Sequence, residues 1–242
     1  MKRLSFFLPA FLLSASGLVA CGGSDDGAEE ETELSSTSGS ETSREPDDGL
    51  GITGLMGTIR PDQVENALHP RMGRFQRCFM ERMNTVELLG GNIRLAFRIH
   101  VDGSVAWVYP SETDIGDRET EQCVLTVARG THFPRPRGGE AEFGWGFGLD
   151  PADDLRPPLN WAADALGRAA DDMRALGRRC GARGPGHTIT AYISPGGEVL
   201  AAGGTMPDQD AEQALDCILE GVRGTSMPDP GSYPAKITFT VR

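Results

Sequence analysis

The chain has 242 residues, and its 35 acidic side chains outnumber 23 basic ones to give a formal net charge of −12. This charge, together with the lack of any basic patch, argues against a nucleic-acid partner. Residues 51–242 provide enough chain for one large or two small domains.

Residues 1–20 have the features of an export signal, because a basic start precedes a short apolar stretch that is too short to span a bilayer. The stretch ends in LVAC at 18–21, which resembles a bacterial lipobox, and the resemblance implies that Cys21 is the site of lipidation. The alternative is an ordinary signal peptide with a chance cysteine. Gly22 follows rather than aspartate, and by resemblance to the usual sorting rule this implies anchoring in the outer membrane. We expect the chain to face the periplasm, with the cell surface as the alternative.

Residues 21–50 continue from the lipidated cysteine as an acidic tether. Ten aspartates and glutamates stand against a single base, Arg44, and almost nothing in the segment is apolar. Such a composition cannot bury a core, so we expect a disordered spacer between the lipid and the folded part. A cation-binding or partner-binding acidic tail is the alternative.

The first folded region, 51–149, begins with apolar residues at helical spacing from Val64 to Met83, a helix that Pro70 should kink or break. Alternating apolar residues then predict two strands joined at Asp102-Gly103. A second helix, capped by Asp114 or Asp117, should end at Gly130. A last strand completes a helix-strand-strand-helix-strand order.

A linker with three prolines, 150–158, separates this region from a second one, 159–242. The same pattern returns there. A helix is expected from Trp161 to Cys180, and a second, capped by Asp208, from Ala211 to Val222. Strands are expected around 189–193, 199–201 and 237–241.

The two regions are copies of one unit. Residues 123–147 align without a gap on 217–241, and a constant offset of 94 relates the copies from Leu95/Ile189 to Phe147/Val241. We therefore predict an α+β protein of two tandem small domains.

The cysteines follow the same duplication. After Cys21, each copy holds one cysteine on each of its two helices, which are Cys78 and Cys123, then Cys180 and Cys217. An exported chain meets an oxidising compartment, so we predict one helix-to-helix disulfide within each copy. The alternative is a metal site with His69, His100 or His132, but no Cys-x-x-Cys or His-x-x-x-His spacing supports it.

The last strand of the first copy is the candidate partner-binding segment. Three glycines share one of its faces, which weakens a strand and often marks the close approach of another backbone. The alternatives are packing within the domain or simple exposure. The second copy carries Thr238 and Thr240 instead, so a docking role would belong to the first copy. The candidate residues are Phe143, Gly144, Trp145, Gly146, Phe147 and Gly148.

Motifs for catalysis or cofactors are absent from the sequence: it contains no G-x-S-x-G, P-loop, dinucleotide fingerprint or H-E-x-x-H. We therefore expect no enzyme activity, no cofactor and no metal. A hydrolase remains the alternative, and it would need His100 or His132 beside an acid and a nucleophile. A Pro-Arg-Pro segment at 134–136 could bind a groove that recognises proline-rich peptides. The Pro-x-Pro pattern occurs again at 228–230, which favours a structural role.

Several motifs of the first copy resemble the AgmX/TonB C-terminal-type domain. They are VDGSV at 101–105, EQCV at 121–124 and FPRPRGG at 133–139, with Cys78 on the preceding helix. The resemblance is weaker over 161–242. It implies a small α+β fold that makes protein contacts at the envelope, and TonB itself pairs its sheet edge with a short receptor strand. We therefore expect a protein-binding module whose partner is an envelope protein or peptide, with a structural or assembly role in an envelope or gliding-motility complex as the alternative.

Overall fold

The computed structural model of the protein describes residues 56–151 and 155–242. The predicted export signal, the predicted lipidation site Cys21, the predicted acidic tether and part of the 150–158 linker lie outside the described residues. Among the helices of the described ranges, none has the length and apolar character needed to cross a bilayer.

The first copy folds in the predicted order. Pro70 separates two helices, because a proline ring inside a helix clashes with the preceding turn and removes a hydrogen bond. A 3-10 turn, His69–Arg71, fills the break. The elements are α1 (Pro61–Leu68), α2 (Met72–Met83), β1 (Gly91–Ile99), β2 (Val105–Thr113), α3 (Arg118–Arg129) and β3 (Ala141–Leu149).

Strand β1 is the centre of the first sheet, with β2 and β3 antiparallel on either side of it. One face of this sheet packs against the helices in a core that includes Leu95, Phe97 and Phe75. Asp117 caps α3, since its carboxylate accepts a hydrogen bond from the Thr120 backbone N–H at 3.0 Å.

The second copy repeats this arrangement with one addition at its start. Its sheet has the order β4-β7-β5-β6. The elements are β4 (Leu159–Trp161), α4 (Ala169–Cys180), β5 (His187–Ile193), β6 (Val199–Gly204), α5 (Glu212–Arg223) and β7 (Ala235–Val241).

Two predictions for the second copy were wrong in detail. The first helix begins at Ala169, not Trp161, because the chain leaves two consecutive prolines extended and forms β4, which pairs in parallel with the start of β7. Asp208 does not cap α5. Its carboxylate accepts from the Asp210 N–H within a turn, and Ala211 occupies the cap position.

The predicted disulfides are confirmed. Cys78–Cys123 joins α2 to α3, and Cys180–Cys217 joins α4 to α5, each with 5.6 Å between the Cα atoms. The bridges close loops with sequence separations of 45 and 37 residues. By the chain-entropy estimate, each contributes about 4 kcal/mol to the free energy of unfolding.

The prediction of two tandem domains is not confirmed, since residues 51–242 form one compact unit. Each copy keeps its own apolar core, but some side chains of each copy pack against the core of the other. Tyr192 and Ala201 of the second copy are buried in the first core, and Tyr109 of the first copy packs against the second. The duplication therefore builds two cores with a shared interface.

Candidate functional site

The aromatic residues of β3 face the core of the first copy. Phe143 stacks on Phe97 and Phe147 stacks on Phe75, each with 5.0 Å between ring centroids. Trp145 is 8% exposed, whereas Phe143 and Phe147 are half-buried. These three predicted site residues therefore belong to the core, and only Phe143 and Phe147 keep part of their surface exposed.

The three glycines of β3 lie on the opposite, exposed face of the sheet. A Cβ atom at Gly144 would lie 3.0 Å from a guanidinium nitrogen of Arg94, and one at Gly146 would lie 2.8 Å from the backbone oxygen of Ile93. A Cβ atom at Gly148 would lie 2.8 Å from the Asn92 side-chain oxygen. Groups of β1 thus lie close above the glycines, so packing within the copy accounts for part of the pattern.

Arg94 was not predicted from the sequence as a site residue, yet its side chain lies over the glycines of this face. Its exposed guanidinium lies over Gly144, and within the described residues it forms no ion pair. The other β1 arginine on the face, Arg98, is held by Glu140 at 2.7 Å and Glu142 at 3.4 Å. The face therefore has one arginine, Arg98, that is held in ion pairs, and one, Arg94, that forms none although Glu112 stands opposite it on β2.

The two sheets differ in which strand edges are covered. Strand β2 turns its outer edge to the second copy, where the Met206 N–H donates to the Pro110 carbonyl at 2.8 Å. Strand β6 turns its outer edge to the first copy, where the Gly204 N–H donates to the Glu121 carboxylate at 3.1 Å. Strand β4 covers the first three residues of β7.

The outer edge of β3, here called the open edge, is different. Along all nine residues of β3, no strand within 56–151 and 155–242 pairs on the side away from β1. The nearest backbone contacts lie just before β3 begins, where Thr58 forms an isolated bridge with Arg137 and the Gly57 N–H donates to the Glu140 carbonyl at 2.6 Å. An edge of this kind presents a row of backbone N–H and C=O groups for another strand.

Hydrogen bonds and ion pairs hold the two copies together around the other edges. The Tyr192 hydroxyl donates to the Gly90 carbonyl at 3.1 Å and accepts from the Gly90 N–H at 3.2 Å. The guanidinium of Arg118 pairs with Asp216 at 2.7 Å and with Glu212 at 3.1 Å. This network fixes the second copy against α3 and leaves β3 out of the interface.

Glu121 is the most unusual group of the interface. It is fully buried, and its second oxygen lies 3.3 Å from the Thr113 hydroxyl, which donates to it. Burial raises the pKa of Glu121 to about 8, against the partly offsetting hydrogen bond from Gly204 and the charge of Arg118. In the sequence this residue was noted only as part of the EQCV motif at 121–124. The small residues at 201–204 are the sequence feature that could have indicated this contact. A Cβ atom at Gly203 would lie 2.4 Å from the Glu121 carboxylate, so the close approach needs a glycine there.

A groove of about 680 Å³ lies between the copies beside the glycine face of β3. Arg94, Gly146 and Gly148 line one side of it, and Thr188 and Thr238 line the other. The positions that distinguish the two copies thus meet at one surface. This surface adjoins the open edge because β3 contributes to both.

The residues required for the hydrolase alternative are not assembled in the described ranges. His100 pairs with Glu140 at 2.7 Å, but no hydroxyl or thiol there hydrogen-bonds to His100 or His132. No group of three His, Cys, Asp or Glu residues there is arranged to hold a metal ion.

No protein-family model, curated protein or solved structure matches the chain. The case for its function therefore rests on the geometry of its own residues.

Proposed function

We propose that the protein is a non-enzymatic envelope lipoprotein that binds a partner protein or peptide by accepting an extended segment at the open edge of β3. One observation carries the proposal. Of the outer edges of the two sheets, β2 and β6 are used between the copies and β7 is covered at its start, while β3 pairs with no other strand of the described residues on that side.

The energetics of strand addition favour such a surface. Each new backbone hydrogen bond contributes about 0.5–1.5 kcal/mol net, and alternate side chains of the incoming strand add selectivity. Strand β3 has nine residues, which is longer than the usual strand of about five or six. A long, unprotected edge is usually blunted by charge or proline when it has no partner. Within β3 the only charged residue is Glu142, and there is no proline.

The N-terminal segment fits the same role. A lipid on Cys21 would hold the protein at the outer membrane, with the cell surface as the alternative to the periplasmic side. The acidic residues of 22–50 would keep that spacer extended and solvated. A tethered binding module samples partners close to the membrane and needs no membrane-crossing helix.

The test is site-specific photo-cross-linking in intact cells. A photoreactive residue placed at Glu142 or Gly148 lies on β3, where both positions are exposed and a side chain at Gly148 meets only the flexible end of Asn92. The matched control is Thr240, which the offset of 94 relates to Gly146 and which is also exposed. We expect adducts from the β3 positions and none from Thr240.

Three outcomes separate the alternatives. A discrete adduct with another envelope protein supports the binding module. An adduct of twice the mass of the chain shifts the role to structural assembly through paired copies. Equal labelling from β3 and from Thr240, or no adduct from β3, contradicts strand addition at the open edge.

A further inference from the structure

We infer that the segment accepted by the open edge alternates apolar and polar side chains, with one acidic side chain among the polar ones placed over Gly144 beside Arg94. This inference rests on the proposed function and specifies the chemistry of the partner.

The inward side of the added strand must be apolar. Successive side chains of a strand point to opposite faces, so every second side chain of the partner continues the core face of β3. There it meets Phe143 and Phe147, which are half-buried. An apolar side chain would cover their exposed surface and gain about 25 cal/mol for each Å² removed from water.

The outward side of the added strand is governed by the glycines. Neighbouring strands lie about 4.8 Å apart, and Gly144 and Gly146 place no side chain between the partner strand and Arg94. The guanidinium lies directly over Gly144, with its nearest nitrogen 3.0 Å from the position of a Cβ atom. A carboxylate on the outward face of the partner therefore reaches a guanidinium that forms no ion pair within the described residues, although Glu112 of β2 stands opposite Arg94 on the other side of β1. A guanidinium binds a carboxylate with two parallel N–H donors.

The neighbouring charges set the position of this carboxylate. Glu142 lies two residues before Gly144 on the same face, so an acidic side chain beside it would meet a like charge. Arg98 is already paired with Glu140 and Glu142 and offers no compensation there. The favoured position is therefore over Gly144 rather than at the start of β3.

The second copy lacks every part of this arrangement. Thr188 stands at the position of Arg94, and Thr238 and Thr240 stand at those of Gly144 and Gly146. The Thr238 hydroxyl is 3.0 Å from the Thr190 hydroxyl, so it is already engaged within its own sheet. The acidic preference therefore belongs to the first copy alone.

The experiment measures binding of short fluorescein-labelled peptides to the full chain in detergent by fluorescence anisotropy. One peptide alternates valine with serine and carries a single central glutamate in place of one serine. A second replaces this glutamate by glutamine, a third replaces it by lysine, and a fourth is the glutamate peptide with N-methylated backbone amides. We expect the glutamate peptide to bind about twofold to fivefold more tightly than the glutamine peptide at low salt, as exposed ion pairs do. The preference should shrink at about 0.5 M salt because the pair is exposed.

The variants assign the preference to one residue. Arg94→Gln, or Arg94→Thr as in the second copy, should abolish it. Arg77→Gln should leave it intact. Arg77 is exposed on α2, on the other side of the sheet, and forms no ion pair with a described residue, so this control removes the same charge.

The outcomes separate the inference from the proposed function. Equal binding of the glutamate, glutamine and lysine peptides, all lost on N-methylation, overturns the acidic preference but supports strand addition. Tighter binding of the lysine peptide, or a preference that survives in both Arg94 variants, also overturns the inference. Failure of all the peptides to bind, or binding that N-methylation leaves unchanged, contradicts strand addition itself and the inference with it.

Discussion

The buried carboxyl of Glu121 should make the stability of the protein depend on pH. The pKa of this group rises from 4.5 in the unfolded chain to about 8 in the fold. The folded state therefore keeps its proton over a range in which the unfolded state has lost it. The stabilisation from the protonated, hydrogen-bonded form is fully present below about pH 4.5 and is lost as the pH rises through about 8.

The magnitude follows from the linkage between proton binding and folding. Each pH unit between the two pKa values corresponds to about 1.4 kcal/mol, so the contribution of Glu121 to the free energy of unfolding falls by about 3 kcal/mol between pH 4.5 and 7. The full loss by pH 8 is about 5 kcal/mol. The charged residues nearby act in opposite directions, since Arg118 favours the ionised form and Asp117 disfavours it.

The assay compares urea unfolding of the wild-type chain and the Glu121→Gln variant from about pH 4.5 to 8.5. A glutamine keeps an acceptor for the Gly204 N–H and cannot ionise, so the variant should gain stability relative to the wild type as the pH rises. Glu119→Gln is the matched control, because Glu119 is 58% exposed in the same helical turn and pairs with Arg82. If the wild-type and Glu121→Gln curves run parallel across this range, the carboxyl is not held protonated and the reasoning fails.

Further predictions concern packing and the interface, each measured by chemical denaturation. Replacing both Cys180 and Cys217 by serine should lower the free energy of unfolding by about 4 kcal/mol under oxidising conditions. As the internal check, the wild type and the variant should have equal stability when both are measured under reducing conditions, where neither has a disulfide. Gly203→Ala should destabilise the protein by about 1–3 kcal/mol because the new Cβ atom has no room beside the buried carboxylate. Gly73→Ala should stabilise helix α2 by about 1 kcal/mol, since a Cβ atom there would meet no atom within 4 Å. A stable Gly203→Ala variant would contradict the close approach of the copies. Tyr192→Phe should cost about 1–3 kcal/mol, since it leaves a buried backbone carbonyl and N–H without the hydroxyl, and an unchanged midpoint would argue against that contact.

The order of helices and strands could be predicted because it depends on the local spacing of apolar residues and because the same pattern occurs twice in the chain. Both disulfides follow from the same duplication, and the break at Pro70 follows from the proline itself. Strand β4 could not be predicted, because a three-residue strand has too few residues to show a period and Trp161 also fits the helical spacing that follows it.

The interface between the two copies could not be predicted for a different reason. The outward residues of β5, including Tyr192, read as one face of a half-buried strand, yet that face is buried by the other copy.

The candidate site could be predicted only in part. The segment 143–148 was identified because it differs between the copies, but the sequence could not say which of its side chains are available. The structure turns the aromatic residues into the core and leaves the glycines exposed. The role of Arg94 depends on the register that places it opposite Gly146, and strand register across a sequence separation of about 50 residues is not visible in a local pattern.

The use of β2 and β6 between the copies also limits how many partners the protein can hold. A protein with two free sheet edges can pass strand pairing from one molecule to the next and form a fibre. Here the outer edges of β2 and β6 each lie against the other copy, and β4 pairs with the start of β7. One long unpaired edge therefore remains among the described strands. A strand added at β3 would extend a sheet whose far side is already closed. The predicted stoichiometry is one partner per chain, and if two chains meet through β3 the pairing closes as a dimer.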